Sequence, residues 1–337
     1  MRPRRTDRKK LTAFAVAAAT LDRVTTIQHP RELHAGSRKV CLAIGVFDGV
    51  HLGHQQIIRQ TIADAGRHDG LAVVLTFDRH PSAIVAADRV PPLIYSMPQK
   101  FRTIASLGAD ALLLLRFDQT FSQQPGETFI RQLARDLGRI QSICVGADFV
   151  FGHQRSGNVA LLEKLGAELN FTVHGIAAVA LDGQVVSSTR VRDAIRAGNF
   201  DVASQMLGRP YSLAANIVAG DRLGQQLGFP TANLETNGFV LPPNGVYAAH
   251  ATVGGQTHRA VVNLGHRPTL PQPTPQLRVE VHLLNFSGQI YGQEMEVTFA
   301  ARLRPEMKFP SVEALREQIG RDVAAARELM GPSPRAV

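Results

Sequence analysis

From residue 40 to residue 176 the chain alternates short apolar runs with longer segments whose apolar residues recur every three or four positions. The runs at 40–47, 72–77, 111–115, 142–145 and 172–176 have the length of strands. They are apolar on both faces, as strands are when helices cover both sides of a sheet. The segments at 53–65, 99–107, 129–137 and 158–167 carry helical periodicity, as in Ile57, Ile58, Ile62 and Ala65. Strand and helix in alternation predict an α/β fold, a doubly wound parallel sheet whose ligands lie beyond the carboxyl ends of its strands.

Past Leu207 the period shortens. Runs at 211–218, 246–253, 258–262, 278–284 and 294–299 read as strands separated by Gly, Pro and Asn turns. Strands in succession without helices predict a small antiparallel β-barrel or sandwich. A last helix follows, with Ser311 as N-cap and Val312, Leu315, Ile319, Val323, Ala326 and Met330 as one apolar stripe. The change of pattern places a boundary in the stretch 192–207, before Gly208-Arg209-Pro210. The expected organisation is a disordered basic arm at 1–23, an α/β domain at 24–204, a barrel domain at 205–330 and a tail at 331–337. The proline-rich stretch 268–275 is expected to be a stiff loop.

Composition adds bounds. At 337 residues, 44% hydrophobic and 19% charged, the chain has the make-up of a globular protein with two cores. The net charge of +9 points less to a polyanion partner than it first suggests, because the first ten residues hold +5 of it. The mildly basic remainder fits a nucleotide-using enzyme with neither nucleic acid nor membrane as partner. The apolar stretch 11–19 resembles a signal sequence but is far too short to span a bilayer. It is expected to belong to the arm, and the protein to be cytoplasmic. Cys41 and Cys144 sit in apolar runs, as buried small hydrophobes rather than a disulfide or metal site.

The candidate chemistry gathers first at Gly45-Val46-Phe47-Asp48-Gly49-Val50-His51-Leu52-Gly53-His54, a strand, a glycine turn and a helix start. His51 and His54 would point the same way beside helix N–H groups that lack intrahelical partners, a place that suits a phosphate. The pair lacks the third ligand and the glutamate of a zinc-protease motif. It is either structural or, with the glycine turn beside it, a pair of donors to an α-phosphate as charge builds on its oxygens. Ser187-Ser188-Thr189-Arg190 precedes a helical segment and reads as a simple N-cap or as a triphosphate cradle, with Arg190 and Arg192 against pyrophosphate. Phe149 and Phe151, in the stretch Asp148 to Gly152, either flank a flat ring or belong to the core. In the second half no GxxxxGK[ST] sequence occurs, so a P-loop does not hold ATP there. Gly220, Gly224, Gly228, Pro230 and Thr231 offer glycine-rich backbone and a hydroxyl for phosphates. Thr231 and Asn233 form an ordinary turn or a pair of hard oxygen ligands of the kind Mg²⁺ takes. Glu280 stands in an alternating run, facing solvent or a substrate.

The stretch ending His51-Leu52-Gly53-His54 resembles the HxGH signature of the nucleotidyltransferase superfamily, whose adenylyltransferases act on phosphopantetheine, nicotinate mononucleotide or flavin. Further motifs, in order, resemble those of the bacterial bifunctional riboflavin kinase/FAD synthetase family. They are Thr76-Phe77-Asp78-Arg79-His80-Pro81, Val145 to Gly152, Val186 to Arg192, Gly228 to Asn233, Asn244 to Tyr247, Asn263 to Thr269, and Val279-Glu280-Val281-His282. The resemblance runs from about residue 38 to 330.

It implies two activities: phosphorylation of riboflavin to FMN by the C-terminal domain, and adenylyl transfer from ATP to FMN by the N-terminal one, giving FAD and pyrophosphate. It implies ATP as co-substrate, Mg²⁺ as cofactor, and riboflavin, FMN and FAD as substrates and products, with apo-flavoproteins as acceptors of FAD. His51, His54 and Glu280 are implied as catalytic, Glu280 being the base for the ribityl 5′-hydroxyl. Gly45, Phe47, Asp48, Gly49, Gly53, Ser187, Ser188, Thr189, Arg190, Arg192, Gly220, Gly224, Gly228, Pro230 and Thr231 are implied for ATP. Asp78, His80, Pro81, Asp148, Phe149, Phe151, Gly152, Asn263, Gly265, Arg267 and Thr269 are implied for flavin, and Thr231 with Asn233 for the metal. The alternative is an HxGH adenylyltransferase for phosphopantetheine or a nicotinate nucleotide, which leaves the second domain unexplained. Arg79 stands where the family usually has proline, Gln225 where arginine is common, and Gln289 where Asp is frequent.

Overall fold

A computed structural model describes residues 24–220, 223–266 and 277–331. The expectations about the arm at 1–23, the loop at 268–275 and the tail after Gly331 lie outside these residues, as do the flavin assignments of Arg267 and Thr269. The chain forms two compact units: Met1–Pro92 with Met97–Ser188, and Leu93–Ser96 with Thr189–Val337.

In the first unit, strands β1 (Thr25–Ile27), β2 (Val40–Ile44), β3 (Leu71–Phe77), β4 (Ala111–Leu115), β5 (Ile140–Gly146) and β6 (Thr172–Ile176) form one sheet. Every pairing is parallel, in the order β1-β4-β3-β2-β5-β6. Successive side chains of β2 point to opposite faces, and both faces are covered. Leu42 and Ile44 pack with Phe129, Ile130 and Leu133 of helix α3 (Gly126–Leu137) and Leu162 and Leu165 of helix α4 (Val159–Leu169). On the other face, Ala43 packs with Ile57 and Ile58 of helix α1 (Leu52–Arg67) and Ile104 of helix α2 (Met97–Ser106). This two-sided burial is why the strands read as continuous apolar runs. The chain leaves β2 toward β3 and returns to its other side as β5, so the strand order reverses at the carboxyl end of β2. Ligand crevices form at such points.

The second unit is a closed antiparallel barrel of β7 (Ser212–Val218), β8 (Ala232–Leu234), β9 (Gly245–Val253), β10 (Gln256–His266), β11 (Leu277–Leu283) and β12 (Glu294–Arg304). Its order is β7-β8-β11-β10-β9-β12. Helix α5 (Ser188–Arg196) leads to helix α6 (Phe200–Leu207), whose Phe200 ring lies nearly parallel to Tyr211 and Phe299, 6.0 and 5.1 Å away. Helix α7 (Val312–Met330) covers the outer face of β9 and β10, where Val323 and Ala326 meet Val246, Ala248 and Val261. Arg304 and the buried Asp322 tie it to β12 through a two-pronged ion pair at 3.0 and 2.8 Å. Leu93 completes the unit from far upstream: its N–H donates to Gly238 and its carbonyl accepts from Val240, at 2.7 and 2.9 Å. Ile94 and Tyr95 beside it are buried.

The structure corrects several expectations. The strand expected at 40–47 stops at Ile44, because Phe47 takes a left-handed backbone that a strand does not admit. Strand β8 occupies Ala232–Leu234, where Pro230-Thr231-Ala232-Asn233 reads as a turn, and β1 is too short to show periodicity. Ser311 does cap α7, accepting from the Ala314 N–H at 3.2 Å. Val312, however, is 56% exposed and lies off the buried stripe.

Candidate active sites

The turn after β2 is built from backbone that side chains rarely tolerate. Phe47, Gly49 and Val50 have φ of 52°, 76° and 41°, and a β-branched residue in that region is a strained one. The neighbours hold the strain in place. The Val46 carbonyl accepts from Thr76 Oγ1 at 3.0 Å and from Lys100 Nζ at 3.2 Å, and Gln55 Nε2 donates to the Val50 carbonyl at 3.0 Å. Ser188 Oγ, from 140 residues downstream, donates to the Asp48 carbonyl at 3.0 Å. Gly45 is required behind the turn, since a Cβ there would lie 2.8 Å from the Phe47 ring.

His51 precedes α1 as its N-cap residue and His54 lies in its first turn. Their rings stack at 3.6 Å between centroids with 21° between planes, and the edge of the Phe47 ring–His54 contact closes the cluster at 5.3 Å. Gly53 makes the stack possible, because a Cβ there would press on the His51 ring at 3.2 Å. Two imidazoles thus sit together at the start of a 16-residue helix, at the sheet's reversal point. The first-turn N–H groups and the aligned peptide dipoles favour negative charge there.

Of the residues assigned to ATP, the structure brings Asp48, Gly49, Gly53 and Ser188 into this turn, with Ser187 adjoining in sequence. Phe47 is fully buried and supports the turn from the core, so a direct nucleotide contact by its ring is not what this geometry shows. Thr189, Arg190 and Arg192 follow on α5. Arg192 is buried rather than exposed, and Arg190 is half-buried.

The flavin residues assigned in the first unit lie at the ends of β3 and β5. Asp78 accepts from the Phe117 N–H at 2.9 Å and is gripped by the Arg79 guanidinium at 2.9 Å. Those bonds and the nearby arginine charges outweigh its burial and hold its carboxyl below the usual range. The Arg79 side chain thus holds the Asp78 carboxylate in place. His80 Nδ1 accepts from the Ser82 N–H at 3.2 Å and Pro81 opens the following helical turn. Phe149 and Phe151 stack on each other at 5.3 Å and 17°, leaving no slot for a flat ring between them. The pair forms one end of an aromatic chain, Phe151–Phe129–Phe121–Phe77, in keeping with the core reading of the two left open by the sequence. Asp148 and Gly152 are exposed beside it.

In the barrel, β11 pairs with β8 on one side and β10 on the other, so Glu280 stands directly between Asn233 and Asn263. Directly paired residues share a face, so the three polar side chains form a row across three strands. His282, two residues on, donates from Nδ1 to the Pro230 carbonyl at 2.8 Å and packs edge-on to Phe229, fixing the segment that leads to Thr231. Gly220 lies against the Asn233 side chain, and Gly224 is so close to Phe229 O and Thr231 that neither glycine has room for a Cβ. Gly265 is buried next to Glu306, while Gly228 and Pro230 are exposed.

Sequence reasoning missed Lys100, and it quoted Thr76 and His282 within motifs without giving either a role. Lys100 had a signal: it stands four residues before the buried Ile104, on the stripe of α2 that faces the core. Only 5% exposed, its ammonium is pushed down to about 8 by burial, against the pull of Asp48.

Comparison with known families agrees with both halves. The FAD synthetase profile matches residues 33–190 and the riboflavin kinase profile residues 207–330. Fold and sites thus define a two-part transferase that works on nucleotides and flavins. The chain is 36% identical to the bifunctional riboflavin kinase/FMN adenylyltransferase of Haemophilus influenzae, over 88% of its own length and 97% of the relative's. The enzymes of the same description from Escherichia coli K12 and Bacillus subtilis are 37% and 33% identical, over 86% and 88% of this chain and 92% and 94% of theirs. The chain belongs to the bifunctional riboflavin kinase/FMN adenylyltransferase family. A solved structure from Streptococcus pneumoniae, described as a macrolide-efflux protein, shares the fold with a TM-score of 0.75 and 27% identity, over 90% of this chain and 99% of that one. Among the described residues of the present chain no helix is long and apolar enough to cross a membrane.

Proposed function

We infer that this protein makes both flavin cofactors, phosphorylating riboflavin to FMN in its barrel and adenylylating FMN to FAD in its α/β unit. The observation that carries the second step is the His51–His54 stack at the start of α1. In that step a phosphate oxygen of FMN attacks the α-phosphorus of ATP, a new P–O bond forms, and the bond to pyrophosphate breaks. The two imidazoles donate to the α-phosphate oxygens as negative charge accumulates on them. The turn's N–H groups and Ser188 support a role in holding the triphosphate, with Ser187, Thr189, Arg190 and Arg192 next in sequence. Asp78, His80, Pro81 and the loop at 148–152 are the candidates for the flavin end.

For the kinase step, Glu280 takes the proton of the ribityl 5′-hydroxyl as its oxygen attacks the γ-phosphorus, and ADP departs. Gly220, Gly224, Gly228, Pro230 and Thr231 are assigned to the ATP phosphates, and Asn263 and Gly265 to the flavin, with Arg267 and Thr269 as further candidates from sequence. The Thr231 hydroxyl and Asn233 amide oxygen are hard donors of the kind a divalent cation takes, and each packs closely against a glycine, Gly224 and Gly220. Mg²⁺ bound there supplies charge neutralisation for the phosphates. The use of ATP supports a cytoplasmic place, with apo-flavoproteins drawing off the FAD.

A time course tests the reading. Purified protein given riboflavin, ATP and Mg²⁺ should accumulate FMN first and FAD after it, and given FMN and ATP should form FAD directly. Absence of FAD from FMN would sink the adenylyl-transfer assignment.

A further inference from the structure

A buried ammonium beneath a phosphate-binding turn can serve by touching the phosphate or by holding the turn. At Lys100 the contacts distinguish the two. Nζ donates to the Val46 carbonyl and to Thr76 Oγ1, both at 3.2 Å, and Thr76 Oγ1 donates to the same carbonyl at 3.0 Å. One carbonyl oxygen has two lone pairs, and both are engaged from below. The residues that follow it, Phe47, Gly49 and Val50, carry the left-handed backbone described above. Such a backbone persists only where its surroundings over-determine it. It ends at His51, which must lie flat on His54.

We propose that Lys100 is a positioning residue for adenylyl transfer. Together with Thr76 it clamps the Val46 carbonyl, and through it the turn at 45–51, in the shape that sets His51 over His54. The inference rests on the adenylyl-transfer reading above. The charge matters as well as the bond: keeping a cation out of water is costly, and a neutral donor would hold a carbonyl more cheaply. A cation under the turn adds a fixed positive field where phosphate charge develops.

The test is Lys100→Met, which keeps the length of the side chain and removes the donor and the charge, with Thr76→Val as a milder second variant. For Lys100→Met the kcat of FAD formation from FMN and ATP should fall roughly tenfold to a hundredfold, the effect of losing a charge-assisted hydrogen bond from the catalytic geometry. The KM for ATP should stay within about threefold, because the lysine acts through the turn and not on the nucleotide. Amide hydrogen exchange should rise at residues 47–51 in both variants and stay parental in the rest of the first unit. A parental kcat in folded Lys100→Met overturns the proposal, and so does a loss confined to KM, which would make Lys100 a phosphate ligand. If Lys100→Met does not fold, Thr76→Val decides: parental kcat with parental exchange at 47–51 refutes the clamp. A parent protein that makes no FAD refutes the adenylyl-transfer reading, a distinguishable failure.

Discussion

The His51–His54 stack makes a quantitative demand on catalysis. Removing one oxyanion-type donor commonly costs roughly 10²–10³-fold in kcat, about 2.7–4 kcal/mol. Here each ring also holds the other, because 3.6 Å between centroids leaves neither ring free to turn independently. An aromatic stack is worth roughly 0.5–1.5 kcal/mol beyond its buried area, and losing it leaves the surviving imidazole unsupported. His51→Ala should therefore forfeit its own donor and part of the work of His54. The two single losses then count the stack twice, and the double variant should fall short of their sum by roughly 1 kcal/mol or more, a coupling a double-mutant cycle resolves. The assay is single-turnover conversion of FMN to FAD at saturating ATP, with riboflavin phosphorylation by the same preparations as the internal control. FAD formation within threefold of the parent in the double variant would refute the catalytic role of the pair. Strictly additive losses would refute the mutual support, and loss of phosphorylation as well would refute the division of labour.

Three further outcomes are expected. Glu280→Gln, which keeps the row with Asn233 and Asn263 but removes the base, should cut riboflavin phosphorylation by roughly 10²-fold or more while FMN adenylylation persists; phosphorylation at the parental rate would exclude Glu280 as the base. Asp322→Ala strips Arg304 of its two-pronged partner, and since that arginine's side chain is only 15% exposed, about 3 kcal/mol of the second unit's stability, the low end for a buried pair, should go, read by calorimetry as a lower melting transition. For Lys100, held at about 8 against an ordinary 10.5, the folded protein sheds the proton first. Between those values the unfolded chain binds more protons, so the Lys100 contribution to stability improves as pH rises. FAD formation should do the opposite and decline through pH 8, a limb absent in Lys100→Met; a decline shared by that variant would assign the limb elsewhere.

The sheet was legible where burial on both faces writes itself into sequence as a continuous apolar run: 111–115 matches its strand at both ends, and 172–176 also matches although it is an edge strand with no fully buried residue. The barrel was legible in outline, yet its shortest strand hid in a proline-bearing stretch whose local chemistry signals a turn. That strand matters, since it brings Asn233 alongside Glu280. The histidines were readable from spacing and the glycine between them. What holds them was not. Thr76 and Lys100 are 24 residues apart and meet only because β3 and α2 pack around the same turn. Likewise the mutual stacking of Phe149 and Phe151 depends on a two-residue strand pair, Val150–Phe151 with Gly157–Asn158, too short to leave a period. Spacing reports which side of its own element a residue takes, and contacts between distant elements are written elsewhere.

The placement of Leu93–Ser96 in the second unit bears on how such a chain can be divided. The second unit is discontinuous: the Leu93 bonds to Gly238 and Val240, and the Tyr95 ring against which Arg209 stacks at 5.0 Å, come from sequence flanked on both sides by the α/β unit. No single scission yields two whole parts. A gene split anywhere between 97 and 204 delivers a kinase lacking four residues, two of them core side chains, and so a less robust folding unit than the uncut protein. A split gene would have to replace the Leu93 backbone bonds and the buried Ile94 and Tyr95 side chains.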